Sequence, residues 1–92
     1  MYSIHYGKKY ERAIKKLAKS GSFNLSKLEK VINTLACGKS LDKKHGDHSL
    51  SGELKNFREC HIESDLLLVY QIDKKALFLI LIDLGSHSDL FG

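Results

Sequence analysis

The sequence predicts an α+β domain of element order β-α-α-β-β-β, with a two-helix hairpin packed on one face of a twisted antiparallel sheet. Two observations support this prediction. Apolar residues recur at helical spacing between Lys8 and Cys37, and three strand-like segments follow between Leu54 and Leu84. Helices in one half of a chain and strands in the other are typical of α+β domains. The 92 residues are enough for one modest core, so residues 1–92 are treated as one domain.

The first predicted elements are a short strand and a basic helix. Residues 2–6 alternate in polarity, which predicts a strand, and Gly7 ends it. From Lys8 to Lys19 the apolar side chains fall at i, i+3, i+4, i+7 and i+8, which is one face of a helix. Basic residues cover the remaining surface: Lys8, Lys9, Arg12, Lys15, Lys16 and Lys19. This surface is suited to solvent or to the phosphates of nucleic acid.

A second amphipathic helix is predicted from Leu25 to Cys37, after a turn at residues 20–22. Either Asn24 or Ser26 is suited to cap this helix, and Gly38 is suited to end it. Because the apolar side of each helix must be buried, the two helices are expected to pack as a hairpin against the sheet.

Three strands are predicted to close the fold, at residues 54–62, 66–72 and 76–84. The short polar connections at 63–65 and 73–75 favour antiparallel pairing. The last two strands are almost entirely apolar and are therefore expected in the centre of the sheet. Residues 39–52 are polar without a clear period, which predicts a loop of the length that often carries function.

Composition limits the class of protein. The net charge of +4 favours a polyanionic partner, either nucleic acid or an acidic protein. No apolar run is long enough to span a membrane, and the N-terminus lacks a signal-peptide pattern, so a cytoplasmic protein without a membrane partner is expected. Cys37 and Cys60 lie far apart and are expected as buried free thiols.

Three histidines are the candidate proton-transfer groups. His48, His61 and His87 each lie on or next to a strand-like segment, and they are expected to converge on one surface. Imidazole titrates at about pH 6.5 and is therefore suited to acid–base work at neutral pH. If residues 57–62 are extended, Glu59 shares a face with His61 and is placed to orient its ring, whereas Arg58 points to the other face.

Three sequence motifs, in this order, resemble those of a known family. They are D-H-x-L-x-G at residues 47–52, F-R-E-C-H-I-E-S-D at 57–65 followed by L-L-L-V-Y, and L-G-S-H-S-D-L-F at 84–91. As an ordered set they are similar to the YafQ branch of the RelE superfamily, the small ribonuclease toxins of bacterial type II toxin–antitoxin systems. The similarity runs through nearly the whole chain and includes both helices.

This resemblance implies an mRNA interferase, a metal-independent endoribonuclease without a cofactor. It implies messenger RNA as substrate, in relatives at the ribosomal A site, and a cognate antitoxin as protein partner. Carried over by position, it marks as site residues His48, His61, Asp65, His87 and Phe91, with Glu59 where the family often has Asp. His87 is expected as the acid and His48 or His61 as the base. Phe91 is expected to stack on a base, its alternative being a place in the core.

The cationic residues expected at the RNA are Lys43, Lys44 and Arg58, since cations near the phosphate stabilise the transition state. Asp65 is expected to orient a histidine or to raise the pKa of a nearby one. Two positions depart from the family pattern. Leu66 stands where relatives often have tryptophan, and Asp83 stands where many have arginine, which removes one stacking surface and one cation.

Several alternatives stay open at this point. His5 and His45 are interpreted as surface side chains, whereas His45-x-x-His48 with His61 and His87 would offer ligands for zinc. A second alternative function is that of a ParE-like toxin, which is expected to share this fold but inhibits DNA gyrase by binding and cuts nothing. An inactive toxin relative that acts as co-repressor with its antitoxin is the non-enzymatic alternative.

Overall fold

A computed structural model describes residues 1–21, 24–63 and 65–91, which contain three α-helices and one five-stranded sheet. In chain order the elements are β1 (Ser3–Tyr6), α1 (Lys8–Ser20), α2 (Leu25–Ala36), β2 (His48–Ser49), β3 (Arg58–Glu63), β4 (Leu66–Asp73), β5 (Phe78–Gly85) and α3 (His87–Phe91). The strands lie in the order β1-β5-β4-β3-β2. The predicted α+β class is confirmed, and β4 and β5 lie inside the sheet as expected.

The helix boundaries follow the predicted signals closely. The Asn24 side chain accepts a hydrogen bond from the Lys27 amide at 3.2 Å, which makes Asn24 the cap of α2. Gly21 ends α1 in the left-handed region, at φ 71°. The predicted turns at residues 20–22 and 63–65 include Ser22 and Ser64, which lie outside the described residues.

The sheet is mixed, which differs from the fully antiparallel sheet that was predicted. β2, β3, β4 and β5 pair antiparallel in sequence, but β1 pairs parallel with β5. The short-turn argument applies only to strands that follow each other directly, and β1 and β5 come from opposite ends of the chain. The predicted strand from Leu54 begins only at Arg58, because residues 52–54 form a 3-10 turn.

A bulge in β5 changes which of its side chains face the helices. Val69 pairs with Asp83 and Tyr70 pairs with Leu81, so Ile82 is an extra residue in the ladder. The bulge reverses the side-chain alternation, and Leu84 therefore faces the helices together with Leu81. The core between the helices and the sheet includes Leu28, Val31 and Leu35 of α2 and, from the strands, Cys60, Leu68, Tyr70, Leu79, Leu81 and Leu84.

The two cysteines differ in environment, and both are free thiols. Cys60 is fully buried, and burial raises its pKa to about 12, so the thiol stays protonated at neutral pH. Cys37 is exposed at the end of α2, so the expectation of two buried thiols is wrong for Cys37. Among the described residues, no helix has both the length and the apolar character needed to cross a membrane.

We expect Gly7→Ala to destabilise the fold. Gly7 joins β1 to α1 with its amide donating to the Leu81 carbonyl at 2.8 Å, and a Cβ at this position would lie 2.9 Å from the same oxygen. The backbone of Gly7 (φ −72°) is allowed for any residue, so the cost is steric, about 1–3 kcal/mol. Denaturant unfolding measures it against Lys9→Ala, an exposed change in the adjoining helix α1. Equal midpoints would contradict this packing.

Candidate active site

Of the candidate residues, His48, Glu59 and His61 lie on the face of the sheet opposite the helices, whereas Arg58 pairs with the core residue Tyr70 and lies on the other face. The pairing register aligns His48 with Glu59, Glu59 with Val69, and Val69 with Asp83, in one row across the sheet. Because side chains alternate along a strand, this row points away from the core positions on either side of it. The predicted convergence of the β2 and β3 residues on one surface therefore follows from the register.

A second row, one step further along the sheet, carries His61. It pairs with Leu67, and Leu67 pairs with Gly85, which is two residues before His87. Neighbouring strands are about 4.8 Å apart, so the backbone at His61 lies roughly 10 Å from that at Gly85. His87 and Asp65 lie just beyond this row, at the same end of the sheet, where the His87 amide donates to Asp65 Oδ1 at 3.4 Å.

Glu59 contacts His48, whereas His61 was the expected partner. His48 Nε2 lies 3.0 Å from Glu59 Oε1, and its Nδ1 lies 2.8 Å from the Gly46 carbonyl oxygen. Directly opposed side chains on paired strands are about 5 Å apart at Cβ, whereas residues i and i+2 of one strand are about 6.7 Å apart. Glu59 is therefore closer to His48 across the strands than to His61 on its own strand. Both ring nitrogens of His48 have a partner, and these two contacts hold the ring in one orientation.

The Glu59 carboxylate is buried, with 7% of the residue exposed. Its second oxygen, Oε2, is buried and has no hydrogen-bond partner among the described residues. A buried acceptor without a donor is costly, and such groups in native proteins are often found at functional sites. The ion pair with His48 is therefore what offsets the burial of this charge.

His61 has an exposed side chain, and within the described residues neither of its ring nitrogens has a hydrogen-bond partner. Its backbone, in contrast, is held by the loop before β2, because His45 Nδ1 donates to the His61 carbonyl at 2.6 Å. The ring lies against Gly46, where a Cβ would be 3.3 Å from His61 Cδ2. His45 was interpreted as a surface side chain, and this contact gives it a role in fixing β3.

His87 is the first residue of α3, a helix that was not predicted. The Ser86 amide donates to Asp89 Oδ2 at 3.1 Å, and the Asp89 amide donates to Ser86 Oγ at 3.1 Å, which is a reciprocal capping box. The hydrogen bonds from Ser86 lower the pKa of Asp89, so the cap is complete above the ordinary carboxyl pKa and is lost as the pH falls through the lowered value. The Ser-x-x-Asp spacing was the signal for this helix.

Phe91 lies on the surface of α3 beside His87. Its ring centroid is 5.3 Å from that of His87, and 42% of the residue is exposed. The alternative of a residue folded into the core is therefore wrong. Asp65 contacts the backbone of His87, and among the described contacts it orients no imidazole ring.

Arg58 is engaged by a carboxylate that sequence reasoning missed. Its Nη2 and Nε donate to Asp47 at 3.2 and 3.4 Å, and the Tyr70 hydroxyl donates to Asp47 Oδ1. The hydrogen bond to Asp47 is the main cause that raises the pKa of Arg58. Asp47 precedes His48 and Arg58 precedes Glu59, so this network joins the two strands immediately beside the His48–Glu59 pair.

The remaining predicted residues are distributed as follows. Lys43 and Lys44 are exposed on a 3-10 turn (Lys43–His45) that Asp42 caps through the Lys44 amide. Leu66 is buried in the core, and Asp83 Oδ1 accepts a hydrogen bond from the Leu84 amide. Across the described ranges, no three His, Cys, Asp or Glu side chains are grouped to hold a metal ion.

Comparison with known proteins shows that this fold is that of a small bacterial toxin. The family model described as "Bacterial toxin of type II toxin-antitoxin system, YafQ" matches residues 2–92. The chain therefore belongs to the YafQ family of bacterial toxins.

Individual relatives agree with this assignment. The mRNA interferase toxin YafQ of Escherichia coli K12 is 33% identical over 91 residues, which cover 97% of this chain and 95% of the relative. Among solved structures, a metal-bound toxin from Helicobacter pylori has a TM-score of 0.92 and 50% identity, covering 99% of this chain and 100% of that one. A toxin in the E. coli DinJ–YafQ complex has a TM-score of 0.88 and 27% identity, with both chains fully covered.

Proposed function

We propose that this protein is an mRNA interferase that cleaves RNA by attack of the 2′-hydroxyl on the adjacent phosphate. The observation that carries the proposal is the pairing of His48 with a buried Glu59, with His61 one row further along the same face of the sheet and His87 just beyond that row. The relatives named mRNA interferase toxin support the same activity.

In this proposal the three imidazoles have different roles, and their hydrogen bonds support the division. Both ring nitrogens of His48 face acceptors, so His48 in its protonated form is held in place to stabilise the charge that develops on the phosphate. His61, whose ring nitrogens have no partner in the described residues, is the base that removes the 2′ proton. His87, across the sheet from His61, is the acid that protonates the departing 5′ oxygen.

Other side chains support binding in this proposal. Phe91, exposed beside His87, stacks on a base and contributes about 1–3 kcal/mol. Lys43 and Lys44 attract the phosphate backbone. Arg58 is paired with Asp47, and this contact joins β2 to β3 beside the His48–Glu59 pair. In this proposal imidazoles carry both proton transfers, and no step passes through a metal ion.

The protein partner in this proposal is a cognate antitoxin, and the substrate is messenger RNA, free or on the ribosome. The E. coli neighbour is a toxin–antitoxin complex, which supports the antitoxin partner. Incubation of the purified protein with end-labelled messenger RNA, with and without ribosomes, tests the activity. Cleavage in either condition is expected. Intact RNA together with inhibition of gyrase supercoiling would favour a ParE-like function instead.

We expect RNA cleavage to be insensitive to chelators. Proton transfer by imidazoles and charge stabilisation by His48 need no metal ion, so the cleavage rate should be unchanged after dialysis against EDTA. The measurement is the initial rate before and after dialysis, with magnesium restored in a parallel sample to keep the RNA folded. Loss of activity that returns with one added transition metal, and not with magnesium, would contradict this mechanism.

A further inference from the structure

A groove beside the candidate active site lies between α2, the loop before β2 and the end of β3. Its cavity volume is about 840 Å³. One wall carries Lys27 and Lys30 of α2, and the opposite wall carries Lys43 and Lys44. His61 lies at the border of the groove, so the groove and the candidate active site form one continuous surface.

We propose that this groove binds the single-stranded RNA that flanks the cleaved phosphate. The inference rests on the proposed function and extends its substrate site from one phosphodiester to the neighbouring nucleotides. An RNA strand whose cleaved phosphate lies at His61 has the groove beside it, because His61 is part of the groove's lining. The next nucleotides of that strand then lie between the two lysine walls.

The charges on the walls favour a phosphate backbone. Lys27 is 3.6 Å from Glu63, and the other groove carboxylate, Asp42, accepts the Lys44 amide, so both acidic groups are already engaged. In the described part of the chain, no carboxylate lies within 4.0 Å of the ammonium groups of Lys30, Lys43 or Lys44. These three cations are therefore available for counterions or phosphates.

The floor of the groove is apolar and suits the bases. It is formed by Val31, Leu41 and Ile62, of which Val31 and Ile62 also belong to the core cluster. Proteins that bind single-stranded nucleic acid combine a cationic path for the backbone with aromatic rings on which bases stack. The groove has the cationic path, and the rings of His45 and His61 in its lining are the surfaces for stacking.

Binding of an RNA that cannot be cleaved tests this site. A ten-nucleotide 2′-O-methyl RNA lacks the attacking hydroxyl, so its affinity is independent of catalysis. We compare wild type with Lys27→Gln/Lys30→Gln and with the control Lys74→Gln/Lys75→Gln, which removes the same charge from the exposed β4–β5 turn. NMR amide shifts map the site, and affinity is measured from 50 to 200 mM salt.

The groove predicts shifts at the amides of Val31, Thr34 and Ile62. It also predicts a salt slope of log K that is shallower by about 0.7 in the α2 variant, because Lys27 is engaged by Glu63 and only the phosphate contact of Lys30 is lost, with an unchanged slope in the control. Equal slopes in both variants, or unmoved α2 amides, would overturn the proposal. Poly-L-glutamate of the same charge is titrated in parallel, and tighter binding of this peptide at the same amides would assign the groove to an acidic protein.

The test separates this inference from the proposed function. If natural RNA is cut while the α2 amides stay unmoved by 2′-O-methyl RNA, the groove proposal fails and the ribonuclease proposal stands. If natural RNA stays intact while the groove amides shift as predicted, the groove is supported as an RNA site and the proposed cleavage fails.

Discussion

His61→Ala and His87→Ala are each expected to lower the rate of RNA cleavage by about 10²- to 10⁴-fold while the protein stays folded. A positioned acid or base contributes about this factor to the rate of a proton-transfer step. Both side chains are exposed, and neither belongs to the core, so their removal is expected to leave stability nearly unchanged. The measurement is the single-turnover cleavage rate of each variant on one labelled RNA.

His5→Ala is the matched control for these two variants. His5 is also an exposed histidine, but it lies on the edge strand β1, where its ring packs against Phe78. Its removal is expected to leave cleavage unchanged.

The double variant His61→Ala/His87→Ala is expected to lose less cleavage rate than the product of the two single effects, because the effects of residues that act together are not additive. Cleavage by either single variant at the wild-type rate would remove that histidine from the mechanism.

Asp47→Ala is expected to lower both stability and activity. It leaves the Arg58 guanidinium and the buried Tyr70 hydroxyl without their shared acceptor. Hydrogen bonds to charged groups contribute about 1.5–3 kcal/mol, and because the Arg58 side chain is 39% exposed, water offsets part of the loss, which gives about 1–2 kcal/mol. Activity falls about 10- to 100-fold, because His48 and Glu59 are no longer held in register.

Tyr70→Phe separates the two effects of this network. It keeps the ring in the core and removes only the hydroxyl, so the loss of stability is expected to be near 1 kcal/mol with Arg58 still paired to Asp47. In both variants the maximal rate is expected to fall more than the Michaelis constant rises, because the network positions groups that act in the transition state. Glu53→Gln, an exposed change of the same charge, is the control. An Asp47→Ala protein with wild-type activity would contradict the positioning role.

The sequence could predict much of the fold, because helix and strand periodicity and the capping residues are local signals. It predicted α1 and α2 within one residue, and it predicted β4 and β5 as the central strands. The parallel pairing of β1 and the bulge at Ile82 depend on contacts between distant segments. Such contacts leave no local pattern in a sequence, so these two features became evident only in the structure.

The candidate site was predictable by residue type and less so by contact. Side-chain alternation gave Glu59 and His61 the same face, and the register agrees with this. The partner of Glu59 depended on the two-residue strand that carries His48, which is too short to give a periodic signal. Asp47 and Tyr70 are 23 residues apart, so their hydrogen bond was equally inaccessible to local reasoning.

The chemistry of the cleaved ends tests the central claim most directly. Attack by the 2′-hydroxyl, with His61 as base and His87 as acid, leaves a 2′,3′-cyclic phosphate on one fragment and a 5′-hydroxyl on the other. Mass spectrometry of the fragments from a synthetic RNA identifies these ends, and an RNA with a single 2′-deoxy sugar at the mapped site is compared in parallel. The account predicts cyclic phosphate ends and no cleavage at the deoxy position. Fragments with 5′-phosphate ends, or cleavage at the deoxy sugar, would contradict it.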